Sequence, residues 1–215
     1  MTRRMWQALV FGGVGTALLL MLGVWQMQRL AWKEGLIAEL EAKLSAPPAA
    51  LPAAPEEGAH EYLRVGVAGR FLPGEVHVLG SARPWGPGFR VIAPFETEAG
   101  RRIMVDRGFV PQREKDAPRE APAAEVTGAL LWPDETGFDT PAPDREAGIW
   151  FARDVPLMAE ALEAEPVLIV AETAAGPGEF PAPRPATPQL RNDHLQYAVT
   201  WFSLAAIWAV MTGVV

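Results

Sequence analysis

The chain has 215 residues, no cysteine, a formal net charge of −7 and an isoelectric point near 5.1. The lack of cysteine excludes disulfides, iron–sulfur clusters, thiolate zinc sites and cysteine nucleophiles, and the acidic balance argues against a nucleic-acid partner. The charge is unevenly placed: 17 of the 19 basic and 25 of the 26 acidic residues lie between Arg29 and Arg191, so an acidic, solvated segment separates two apolar ends.

Taken in chain order, Arg3 and Arg4 precede an apolar run interrupted only by Gln7 and Thr16. Its length predicts a first transmembrane helix over 5–28. A signal peptide would have a shorter apolar core and a small-x-small cleavage site, so an uncleaved anchor is expected. Ala8, Gly12 and Thr16 form a small-xxx-small row, as do Gly13 and Ala17, and Ala205, Ala209 and Gly213 form another. Such rows let backbones approach closely, which predicts that the two terminal helices pack as a pair. Both termini then lie on one side of the membrane. Arg3, Arg4 and the N-terminal amine lie on the side of the termini, but Arg29, Lys33 and Arg191 flank the helices on the domain side, so the positive-inside rule gives no orientation.

Residues 29–58 read as a helical extension to about Leu44, followed by a Pro/Ala-rich linker. Trp25, Arg29 and Trp32 are spaced three or four apart and share a helical face. One reading is an aromatic belt with a snorkelling cation. The other is that Arg29, with Gln26, receives an anionic group at the interface.

From 59 to 190 the periodicity changes to two. Strands are expected at 65–71, 75–79, 89–95, 102–106 with 109–110, 125–132 and 166–172, with one helix from Asp154 to Glu163 and Pro-rich loops at 117–122, 133–145 and 176–188. Several short strands and one helix suggest a small barrel or sandwich. The expected fold class is thus a membrane protein of α+β type, in which two terminal helices flank a β-rich extramembrane domain.

A second transmembrane helix is expected over 195–215. The 19 uncharged residues from Tyr197 onward rise about 30 Å, one bilayer core. Asp193 and Gln196 have the spacing of a capping box. His194 then falls in the first turn, where the positive end of the helix dipole favours the neutral, metal-binding imidazole. At 100° per residue His194, Ala198, Trp201, Ala205, Trp208 and Thr212 share one face. Small residues between the tryptophans could leave room for a flat apolar ligand below the histidine. Equally, His194 could be an ordinary interfacial residue, with the tryptophans packed on lipid or a neighbouring helix.

Little in the central segment reads as an active site. Histidine occurs only at His60, His77 and His194, there is no Gly-x-Ser-x-Gly elbow, and Trp85-Gly86-Pro87-Gly88-Phe89 reads as a turn before a strand rather than a phosphate loop. Asp106-Arg107-Gly108 reads as an internal ion pair at a strand bulge. No enzymatic activity is expected.

The motifs together resemble the Surfeit locus protein 1 family over nearly the whole chain. They are Gly23-Val24-Trp25-Gln26 with Arg29, Trp32 and Lys33; Gly88-Phe89-Arg90-Val91 with Pro94-Phe95; Val105 to Pro111; Gly148-Ile149-Trp150-Phe151 with Asp154; and Arg191 to Tyr197 with Thr200-Trp201-Phe202. Phe109 stands where the family often has Trp, and the stretch before Arg191 is Pro-rich rather than glycine-rich. The resemblance implies a two-pass protein of a bacterial cytoplasmic membrane, with both termini cytoplasmic and the β-domain periplasmic. It implies assembly of haem-copper cytochrome c oxidase, with haem a bound and passed to subunit I. His194 would be the iron ligand, with Arg29, Gln26, Trp25, Tyr197 and Trp201 around the haem. Membrane lipid, subunit I and haem a synthase would be partners, and a homo-oligomer stays open. The alternative is a non-haem scaffold that docks oxidase assembly intermediates.

Overall fold

No proline interrupts the chain before Pro47, and its first helix runs without a break until just ahead of that residue. The computed structural model describes residues 2–119, 123–173, 178–186 and 192–214. Arg191, Val215 and parts of the expected loops at 117–122 and 176–188 lie outside the described residues. In chain order the elements are α1 (Arg3–Ser45), β1 (Ala49–Ala50), α2 (Glu57–His60), β2 (Arg64–Phe71), β3 (Val76–Ala82), β4 (Gly86–Thr97), β5 (Arg102–Pro111), β6 (Ala123–Leu130), β7 (Ile149–Trp150), α3 (Val155–Ala161), β8 (Leu168–Ala171) and α4 (His194–Gly213). They form two compact units. One is α1 up to Glu41 together with α4; the other begins at Ala42 and contains all the strands.

In the first unit, α1 and α4 are both long and apolar enough to cross a membrane. They run antiparallel, as a series of close contacts shows. A Cβ on Gly12 would lie 2.0 Å from Thr212 Cγ2, one on Gly15 2.5 Å from Trp208 Nε1, and one on Gly23 2.6 Å from the Phe202 ring. Gly12 and Gly23 are buried on α1, and Ala198 and Ala205 on α4. Trp208 Nε1 donates to the Gly12 carbonyl at 3.1 Å, a carbonyl that also accepts from Thr16 Oγ1. The Ala8–Gly12–Thr16 row therefore does serve helix packing. Gly13 does not: a Cβ there would meet nothing within 4 Å.

In the second unit, alternation of apolar and polar residues builds a closed barrel. β2, β6, β8, β5 and β4 pair in that order, and β2 pairs again with β4 from Gly69↔Thr97 to Phe71↔Phe95, which closes the ring. All these pairings are antiparallel except β5 with β8. Val65, Phe71, Phe95, Ile103, Val105, Val126, Leu130 and Ile169 fill the barrel. On the opposite face of β5, Met104 joins Ile92, Leu168, Trp150 and Met158 under α3. Strand β5 is buried on both faces, in keeping with its apolar runs Ile103–Val105 and Phe109–Val110 on either side of Asp106-Arg107-Gly108. Helix α3 starts where expected: the Asp154 carboxylate accepts the Leu157 N–H at 3.0 Å, and Pro156 sits in the first turn.

Two features differ from the sequence reading. The Pro/Ala-rich stretch is more than a linker, because β1 pairs parallel with β2 and α2 adds one helical turn. Likewise, β7 pairs with β3 inside the motif Gly148 to Phe151. Two-residue strands carry no periodicity that a sequence pattern could reveal.

Candidate functional site

Helix α4 begins with His194 itself. The expected capping box does not form. Asp193 occupies the N-cap position at φ −94°, ψ 6°, and its side chain makes no capping hydrogen bond; a capping carboxylate needs an extended backbone to reach back to the first-turn N–H groups. The Asp193 carbonyl nonetheless accepts the Tyr197 N–H at 3.2 Å.

The imidazole is fixed from the other helix. His194 Nδ1 lies 2.7 Å from Gln26 Oε1. An amide oxygen facing Nδ1 favours the tautomer with the proton there and the lone pair on Nε2. Among the described residues Nε2 has no hydrogen-bond partner. Gln26 is only 8 % exposed, on the same face of α1 as Gly12 and Gly23, whereas the ring of His194 is half-buried. A buried amide locked onto one nitrogen, with the other left open, is the arrangement of a metal-binding histidine and its outer-shell partner.

The other expected site residues are less concentrated. Trp25 and Tyr197 are exposed at 52 % and 55 %, and Trp201 is half-buried on the face of α4 that carries His194. Arg29 is exposed, its guanidinium stacked 3.9 Å from the centroid of Trp32. Among the described residues, no hydrogen bond or ring stacking joins Trp25, Arg29, Tyr197 or Trp201 to His194. The structure thus brings Gln26 and His194 together and leaves the remaining four as a surrounding surface. On the Ala198–Trp201–Ala205–Trp208 face, Ala198 and Ala205 are buried and Trp208 is bonded to α1. The pairing of Gln26 is the feature that local motifs did not reveal. The available signal was the helix register, since Gln26 lies two heptads beyond Gly12.

The polar clusters of the β-domain are closed on themselves. Asp106 is fully buried; its Oδ2 accepts from Arg90 Nε at 2.6 Å, its Oδ1 from the Gly108 N–H at 3.0 Å, and Arg153 lies 3.7 Å away. The register shifts there, with φ +117° at Gly108, where a Cβ would lie 2.2 Å from the Ala182 carbonyl oxygen. This is the internal ion pair at a bulge that the sequence suggests. Arg153 also pairs with Glu135, whose carboxyl is pushed up by burial but brought below its ordinary range by hydrogen bonds from that guanidinium. A second cluster joins Glu75, His77 and Arg119. His77 Nε2 lies 3.0 Å from Glu75 and 2.9 Å from Arg119, which also binds Glu75. Burial pushes the Glu75 carboxyl up, but the bonds from His77 and Arg119 outweigh it and hold the group at about 2.

Comparison with known proteins decides the family. The SURF1 family model matches residues 14–206. The chain belongs to the SURF1 family. A SURF1-like protein of Monosiga brevicollis is 38 % identical over 211 residues, covering 88 % of this chain and 80 % of the relative. Surfeit locus protein 1 of Homo sapiens is 36 % identical over 210 residues, covering 86 % and 69 %, and that of Xenopus tropicalis 34 % over 209 residues, covering 86 % and 68 %. The SURF1 match includes Trp25, Gln26, Arg29, His194, Tyr197 and Trp201.

Proposed function

We propose that this chain binds haem a through His194 and assists its delivery to, or insertion into, subunit I of cytochrome c oxidase. Family membership supports a role in cytochrome oxidase assembly. The observation that carries the haem reading is the His194 imidazole, held at Nδ1 by Gln26 and open at Nε2. The donor set fits a haem: one neutral nitrogen for the iron, aromatic surface for the ring, and a cation for a propionate. A bound haem would supply an iron atom for the imidazole nitrogen, on a broad apolar ring with anionic side groups.

Each residue has a part that its chemistry allows. His194 Nε2 would hold the iron. Trp25, Tyr197 and Trp201 offer apolar surface with polar tips suited to the membrane interface. Stacked on Trp32, Arg29 keeps its in-plane N–H donors turned outward, available to a carboxylate. A lone axial ligand on an open surface favours handover over retention. In this reading the protein crosses a bacterial cytoplasmic membrane twice, with both termini cytoplasmic and the β-domain periplasmic. It contacts lipid and oxidase subunit I, with haem a synthase as a source of the haem.

The test is a full-length preparation in mild detergent from cells that make haem a. Extracted pigment and the oxidase subunit I captured with it are compared with those of His194→Ala. Haem a in the wild type and its loss in the variant support the reading.

One observation favours a second reading, a non-haem scaffold for oxidase intermediates. The tryptophan-bearing face of α4 packs against α1, with Ala198 and Ala205 buried and Trp208 bonded to the Gly12 carbonyl. A scaffold would capture subunit I as well after His194→Ala as before, and would carry no pigment in either form.

A further inference from the structure

Gln26 is the buried polar side chain of the helix pair, and its position specifies a role different from the one its sequence context suggested. Beside Arg29, it reads as part of a receptor for an anionic group. Its amide is instead directed inward, with Oε1 2.7 Å from His194 Nδ1, while Arg29 faces outward against Trp32. Placing an amide between two membrane helices is costly unless it is bonded. The bond it makes crosses 168 positions of sequence to the one histidine of the unit.

We propose that Gln26 is a positioning residue that fixes the tautomer and orientation of His194. It accepts the Nδ1 proton and so presents the Nε2 lone pair at the open edge of the helix pair. Neutral imidazole in water favours the proton on Nε2, the form that has no lone pair there to offer a metal. A fixed acceptor at Nδ1 reverses that preference. It also holds the ring plane and raises the basicity of Nε2, as outer-shell partners of ligand histidines do. The tautomer part stands on the hydrogen bond alone; its consequence for haem rests on the function proposed above.

Both parts are tested in the full-length protein in lipid nanodiscs, with Gln26→Leu, Gln26→Glu and His194→Ala beside wild type. The first readout needs no haem. Two-bond proton–nitrogen spectra at alkaline pH, with His194 assigned from His194→Ala, report which nitrogen holds the proton. Wild type is expected as Nδ1–H, Gln26→Leu should move toward Nε2–H, and Gln26→Glu, which keeps an acceptor, should restore Nδ1–H. Nε2–H in wild type, or no change in Gln26→Leu, would overturn the assignment.

The second readout is haem a titration with the iron–histidine stretch of the reduced complex. Gln26→Leu should weaken binding about 10- to 100-fold and lower the stretching frequency, and Gln26→Glu should raise that frequency. Unchanged affinity and frequency in Gln26→Leu, with His194→Ala devoid of haem, would overturn the positioning role alone. Retention of haem by His194→Ala would overturn the ligand reading and leave the tautomer result to stand by itself.

Discussion

His77 and His194 carry the same ring in opposite states of engagement. In the β-domain, His77 is 7 % exposed, and its Nε2 faces both Glu75 and Arg119, within a cluster that ties β3 to the turn after β5. In the helix pair, His194 has one nitrogen bonded to a neutral amide and the other open. The groups of the Glu75–His77–Arg119 and Asp106–Arg90 clusters satisfy one another, and what they contribute is stability and a defined register. In the helix pair, Trp208 donates to the Gly12 carbonyl, whereas the Gln26–His194 contact engages one imidazole nitrogen and leaves the other open among the described residues. The contrast sets a closed polar cluster against a histidine with one open nitrogen within one chain.

This contrast breaks most visibly at Asp106. Replacing it with Ala removes the carboxylate shared by Arg90, Arg153 and the Gly108 N–H, leaving two guanidiniums without it. Loss of one partner of a buried pair costs about 3–5 kcal/mol. Denaturant unfolding of the full-length variant, followed by the fluorescence of domain tryptophans, should show a drop of that order. A change under 1 kcal/mol would mean the cluster is not the internal brace described here.

A smaller effect is expected in the helix pair. Gly12→Val would drive side-chain atoms into Thr212, which is held by its own bond to the Trp208 carbonyl and is stiff at χ1. The helices must separate there and lose the Trp208–Gly12 bond, at a cost of about 1–2 kcal/mol. Distances between spin labels at the ends of α1 and α4 should broaden and lengthen, whereas Gly13→Val should leave them unchanged. Equal effects of the two substitutions would contradict the packing face.

A further effect is one of pH. Because the Glu75 carboxyl sits at about 2 against an ordinary value of 4.5, its contribution to stability is complete above about 4.5 and fades as pH falls toward 2. Glu75→Gln should therefore be less stable than wild type near neutral pH, with the difference shrinking across that acidic window. Thermal melts of both proteins at several pH values would show it; a constant difference would argue against the carboxylate as its source.

Most of the β-domain could be read from the chain, because its signals are local. Apolar alternation marks β2, the apolar run at 91–95 marks β4, the shorter runs at 103–105 and 109–110 mark β5, and Asp154 with Pro156 marks the start of α3. The site was legible only in its residue types. His194 stood out as the histidine beside an apolar helix, but its bond to Gln26 depends on the register of two helices at opposite ends of the sequence. The capping-box spacing misled for a related reason: it specifies residue types, while the cap depends on the backbone angles of Asp193. Similarly, the small residues of α4 read equally as room for a ligand or for a helix, and the burial of Ala198 and Ala205 shows only that those two positions pack.

The most direct measurement is the haem a content and visible spectrum of two single variants made side by side, His194→Ala and His77→Gln, purified full-length from cells replete in haem a. If His194 is the open ligand and His77 a closed structural group, pigment disappears from His194→Ala alone. His77→Gln should keep the wild-type Soret band and show only a lower melting temperature. Haem retained by His194→Ala, or lost equally from both, would contradict the assignment of His194 as the ligand.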